Sequence, residues 1–138
     1  MEISRRETLA LCLGAAVLTM MPFRANAAVE DAISAFTGGA DVAEGGVTLT
    51  APEIAENGNT VPIEVSAPGA VSIAVFAAGN PTPGVATFNF GPLAASQSAA
   101  TRIRLAGTQD VIAVAKMADG SFAKASATVK VTIGGCGG

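Results

Sequence analysis

The chain of 138 residues contains no histidine, no tryptophan and no tyrosine. Without histidine it lacks the usual general base near neutral pH and the commonest neutral metal ligand. Ser-His-Asp and Cys-His constellations therefore cannot form within it. Charged residues are sparse at 14%, and cysteine occurs twice, at Cys12 and Cys136. No apolar run reaches the roughly 20 residues that cross a bilayer as a helix. Half of the residues are apolar, enough to bury the core of one domain and too many for a disordered chain. Any chemistry must rest on carboxylates, lysines, hydroxyls or a thiol.

The first 27 residues read as an export signal. Ser4-Arg5-Arg6-Glu7-Thr8-Leu9 supplies a charged region with the paired Arg5 and Arg6 of a twin-arginine (Tat) address, and an apolar run from Leu9 to Met21 follows. Ala25-Asn26-Ala27 fits a small-x-small cleavage pattern, placing the cut after Ala27. Thr8 stands where Tat signals favour a bulky apolar residue, which leaves Sec export as the alternative. Cys12 falls inside this segment behind the large Leu11, an arrangement unlike a lipoprotein anchor. What remains is a periplasmic chain from Ala28 with a single cysteine. Its bases, Arg102, Arg104, Lys116, Lys124 and Lys130, are scattered and outnumbered by nine acidic residues. That balance is poor for binding nucleic acid or an anionic membrane.

Val29, Ile33 and Phe36 recur at helical spacing, and Gly38-Gly39 stops the pattern, so residues 28–37 are expected to form a helix packed over a sheet. Beyond Gly45 the pattern becomes short strands between turn residues. These are Val47–Thr50, Val61–Ser66, Val71–Phe76, Val85–Phe90, Thr101–Leu105, Val111–Met117 and Phe122–Ile133. Glu56-Asn57-Gly58-Asn59 reads as a turn, residues 79–84 as a proline-bearing loop, and Asp119-Gly120 as a hairpin turn. The nearly continuous apolar run Val111–Met117 marks a central strand. About seven such strands in roughly a hundred residues argue for an all-β, immunoglobulin-like antiparallel sandwich over residues 28–133. Several strands are rich in alanine, which packs thinly and suggests a face covered by a partner subunit.

After this body come Gly134-Gly135-Cys136-Gly137-Gly138. Glycine has no Cβ and loses the most entropy on ordering, so the segment is expected to act as a flexible arm whose one side chain is a thiol. Five extended residues reach on the order of 15 Å. Three uses fit: a covalent carrier thiol, an intermolecular disulfide that merely joins two chains, and a tail of no consequence. An exposed thiol in an oxidising compartment is a liability unless used, which weighs against the last. The outward Arg102 and Arg104 and the three lysines read as a solvated face, and Phe88 and Phe90 as core. Asp41, Glu44 and Glu53 sit in loop stretches without the spacing of a calcium loop, so no metal and no cofactor is assigned.

The stretch Lys130-Val131-Thr132-Ile133-Gly134-Gly135-Cys136-Gly137-Gly138 resembles the terminal motif of the SoxY family, the sulfur-carrier subunits of the bacterial thiosulfate-oxidising (Sox) system. The strand segments 85–90, 101–106 and 111–122 are similar to those of the family as well, and the twin-arginine leader is typical of it. The resemblance implies an Ig-like sandwich paired with a SoxZ-like β-sandwich subunit in a heterodimer. It implies that sulfur intermediates ride covalently on the cysteine matching Cys136. A cytochrome c pair would join thiosulfate to the thiol, a sulfate-releasing hydrolase would act on the adduct, and a sulfur dehydrogenase would treat the remaining sulfur. On that pattern the chain is a carrier rather than an enzyme. The rival is an exported Ig-like adaptor whose cysteine only crosslinks it.

Overall fold

The structure, a computed structural model, describes residues 24–135. Arg5, Arg6, Cys12, Cys136, Gly137 and Gly138 lie outside the described residues. Among the described residues, one helix, α1 (Arg24–Thr37), precedes nine strands. They are β1 (Val42–Glu44), β2 (Thr48–Thr50), β3 (Ile54–Asn57), β4 (Val61–Ser66), β5 (Ala70–Ala77), β6 (Gly84–Asn89), β7 (Ser98–Ile103), β8 (Gln109–Met117) and β9 (Phe122–Ile133). The larger sheet runs β1-β9-β8-β5-β6, with β3 also on β9, and the smaller runs β2-β4-β7. Two sheets over one core make the expected β-sandwich.

The alternation read from the sequence is realised in β4, where Val61, Ile63 and Val65 are buried while Pro62 and Glu64 face solvent. Pro62 lies past the end of β2, whose pairing reaches only Glu64, so its missing N–H breaks no ladder there. In β7 and just after it Ile103 and Leu105 point inward and Arg102 and Arg104 outward. These side chains meet Ile73, Val75, Val111, Ala113, Ala115 and Val129 of the larger sheet, with Phe88 and Phe90 packed at the margin.

β5 and β8 are buried on both faces over most of their length, which explains why Val111–Met117 reads as a nearly continuous apolar run and why Ala70–Ala77 is apolar apart from Ser72. The second face carries Ala74, Phe76, Val114 and Phe122, and α1 lies across it through Val29, Ile33 and Phe36. Phe36 meets Phe76 and Phe122 edge to face, with ring centroids 6.3 and 6.0 Å apart. The chain's own helix therefore covers this face, where the alanine content suggested a partner. The helix extends four residues further toward the N-terminus than residues 28–37, through good helix formers. It closes as expected: Gly38 takes a φ of 67° and the Gly39 amide donates to the Ser34 carbonyl at 3.2 Å.

Seven strands coincide with the expected ones, and β1 and β3 are additional. Both are short and both pair in parallel with β9, at Val42↔Phe122 to Glu44↔Lys124 and at Ile54↔Lys130 to Asn57↔Ile133. Glu44 is thus in a strand and bonded to Lys124 at 3.5 Å across an exposed pair, and Glu56 and Asn57 end a strand. Three or four residues carry too little periodicity to reveal a strand whose partner lies far along the chain.

At the β8–β9 hairpin, Asp119 accepts from the Ser121 hydroxyl at 2.6 Å and from its amide at 2.9 Å, and Gly120 takes a φ of 87°. The hydroxyl bond, with the amide bond behind it, lowers the Asp119 pKa from its ordinary value of 3.8. A carboxyl depressed on folding stabilises the fold above its unfolded pKa and loses that contribution as pH falls through the folded one. Ser121→Ala should therefore raise the titration midpoint of Asp119 in an NMR titration; an unmoved midpoint would show the bond to be unimportant. In the core, Ile73 is fully buried. Ile73→Ala should cost about 2–5 kcal/mol in urea unfolding, with the slope of the transition unchanged.

Candidate functional site

The last described residues, Gly134 and Gly135, form the root of the segment that carries Cys136. β9 outruns its partner: its ladder with β8 ends at Gln109↔Val129. Beyond that point other groups take over. The Val131 amide donates to Thr108 Oγ1 at 2.9 Å, and the Ile133 carbonyl accepts from the Gly58 amide at 2.7 Å. The Gly58 carbonyl in turn accepts from the Leu105 amide at 2.8 Å, and the Leu105 carbonyl from the Gly135 amide at 2.9 Å. Three remote segments are thereby stitched together by backbone alone.

The close approach depends on glycine. A Cβ on Gly58 would collide with the Leu105 carbonyl oxygen and come within 2.9 Å of the Gly135 nitrogen and of Val131 Cγ1. A Cβ on Gly134 would strike the Ala106 carbonyl oxygen, and one on Gly135 would sit 3.0 Å from the Gly58 oxygen. Gly134 and Gly135, expected as the first residues of a flexible arm, pack here against the backbone of residues 58 and 105–106. Here glycine serves proximity rather than freedom. The turn that begins the root is held by Asn57, whose Oδ1 accepts from the Asn59 amide at 3.0 Å.

No charged side chain takes part in this stitching. Arg102, Arg104, Lys116 and Lys130 are exposed, as their positions on strand faces required. No group of three His, Cys, Asp or Glu side chains that could hold a metal ion occurs among the described residues. The root supplies position, and the sulfur one residue beyond it supplies the only nucleophile of its kind in residues 28–138. Sequence reasoning singled out Cys136, which lies outside the described residues, and its glycine neighbours, and it did not single out Gly58, Leu105 and Ala106. Asn57-Gly58 signalled a turn and nothing more, and its meeting with residues 105 and 134 is a tertiary event.

Fold and root together define a β-sandwich whose final strand runs on into two close-packed glycines, which in the sequence directly precede the single cysteine of residues 28–138. The family model described as "Sulfur oxidation protein SoxY" matches residues 33–136, and the chain belongs to the SoxY family. Among solved structures it resembles the sulfur carrier protein SoxY from Chlorobium limicola f thiosulfatophilum, with 36% identity and a TM-score of 0.68 over 78% of this chain and 98% of that one. It is also similar to a superoxide reductase (neelaredoxin) from Ignicoccus hospitalis, at 17% identity and a TM-score of 0.56 over 63% of this chain and 80% of that one, a likeness of fold alone. No curated protein sequence matches.

The root makes a sharp contrast between glycines. Gly58→Ala should destabilise the protein by about 1–3 kcal/mol through overpacking. Gly107→Ala, where a Cβ meets nothing within 4 Å, should be neutral in the same thermal or urea melt. Equal effects of the two substitutions would refute the close-packed root.

Proposed function

We propose that this chain is a sulfur carrier whose Cys136 holds thiosulfate-derived sulfur covalently while partner enzymes act on it. The observation that carries the reading is the single thiol placed one residue past an anchored, side-chain-free root, on a member of the SoxY family. A nucleophilic sulfur must form and break S–S bonds, and it does so as the thiolate. With Cys136 as thiolate, its Sγ joins the outer sulfur of thiosulfate to give a Cys–S–S–sulfonate, and two electrons leave to a cytochrome c. Water then attacks the sulfonate: the S–S bond to it breaks, sulfate and two protons depart, and the electron pair stays on a Cys136 persulfide. A sulfur dehydrogenase would oxidise that remaining sulfur.

The chain supplies neither base nor metal for these steps, and activation falls to each partner in turn. Glycine on both sides of Cys136 suits such a role, because no neighbouring side chain has to be fitted into successive pockets. The body would pair with a SoxZ-like β-sandwich subunit. Arg5, Arg6 and the Ala25-Asn26-Ala27 pattern support export to the periplasm by the twin-arginine route.

Intact mass tests the reading. After incubation with thiosulfate and the oxidising cytochrome, the mature chain should gain one thiosulfate on Cys136, and the hydrolase should then remove its sulfonate. Cys136→Ser should abolish both the gain and thiosulfate-dependent sulfate formation. A protein that yields only disulfide-linked pairs under these conditions is the adaptor instead.

A further inference from the structure

Behind the root lies a pair of buried amides that the carrier reading does not use. Asn80 and Gln109 are each 8% exposed; Asn80 lies in the loop after β5 and Gln109 opens β8, and both reach residues 104–107. Asn80 Nδ2 donates to the Arg104 carbonyl at 2.8 Å, and Asn80 Oδ1 accepts from the Ala106 amide at 2.9 Å. Gln109 Nε2 donates to Asn80 Oδ1 at 2.9 Å and to the Gly107 carbonyl at 3.0 Å, while its Oε1 accepts from the Gly79 amide at 2.8 Å. Both donors of Gln109 and both kinds of group on Asn80 are engaged, and no buried side-chain polar atom among the described residues lacks a partner.

The geometry is that of a missing strand. In extended backbone the N–H and C=O groups of alternate residues point to opposite edges. Asn80 pairs with Arg104 and Ala106 on one edge, which leaves Leu105 to present both of its groups on the other. There Leu105 meets Gly58 and Gly135. The Ala106 carbonyl, against which Gly134 rests, belongs to the same fixed segment. β7 ends at Ile103, so no ladder holds residues 104–107 once that strand stops. The two carboxamides replace it.

We propose that Asn80 and Gln109 are positioning residues for the sulfur-bearing cysteine: by holding residues 104–107 in place they fix the Leu105 and Ala106 carbonyls, and these fix where the chain leaves the body for Cys136. The inference rests on Cys136 being the carrier residue. Its physical part, the dependence of the root on the amide pair, stands independently of that reading.

The test uses the mature chain carrying Asn80→Asp, which removes the donor to Arg104, or Gln109→Glu, which removes the donors to Asn80 and Gly107. Amide hydrogen exchange is followed at Gly135 and Leu105, with the central Val114 amide reporting global opening. Gly135 should exchange about tenfold faster in either variant while Val114 changes much less, the scale of one lost buried hydrogen bond. In Gln109→Glu the protection of Gly135 should recover on acidification, since a protonated carboxyl regains one donor; the unsubstituted chain should show no such recovery. Loading by thiosulfate and the oxidising cytochrome should lose about tenfold in kcat/KM, whereas reaction of Cys136 with a small disulfide reagent, which needs no docking, should keep its rate. Gly135 protection that is unchanged, or that falls in step with Val114, overturns the proposal, as does full-rate loading of a variant with a loosened root. If one variant does not fold, the other carries the same comparison. An unsubstituted chain that gains no mass on Cys136 would sink the carrier reading, while the exchange data would still decide the role of the pair.

Discussion

Three stretches of backbone, at Gly58, at Leu105–Ala106 and at Gly134–Gly135, lie closer together than any side chain would permit. Much of the molecule's layout follows from this contact. β9 runs beyond the end of β8 because its last residues find partners in β3, Thr108 and Gly58 instead. β3 exists because β9 needs a neighbour on that stretch, and its closing turn carries the glycine that makes the approach feasible. A loop that would otherwise lose its shape after β7 is kept extended by two buried carboxamides. The result is a close-packed backbone junction at the very place where the chain turns glycine-rich.

The glycines before Cys136 are not all alike in their surroundings. Gly134 and Gly135 pack against the backbone of the body, Gly135 through its amide. Among the described residues, no charged side chain takes part in the hydrogen bonds of the root.

The sandwich itself was largely written in the pattern of side chains. Seven strands, the central place of Val111–Met117, the outward arginines and the Asp119-Gly120 hairpin follow from alternation, from continuous apolar runs and from turn chemistry. α1 was legible from Val29, Ile33 and Phe36. β1 and β3 were not, because parallel pairing with a distant strand asks for no periodicity in three or four residues. Alanine-rich strands pointed to a cover, and only the fold showed that α1 supplies it over Ala74, Phe76 and Val114.

The amino-acid order by itself determined the family and the layered architecture, since each depends on residue type and local spacing. It could not determine what Gly58, Asn80, Leu105 and Gln109 do, for in the sequence they are a turn glycine, a loop asparagine, an apolar residue and a polar one. Their roles arise where segments tens of residues apart meet. Whether a glycine is there to bend or to let another backbone come near is decided by what stands opposite its missing Cβ, and only the tertiary structure puts anything there.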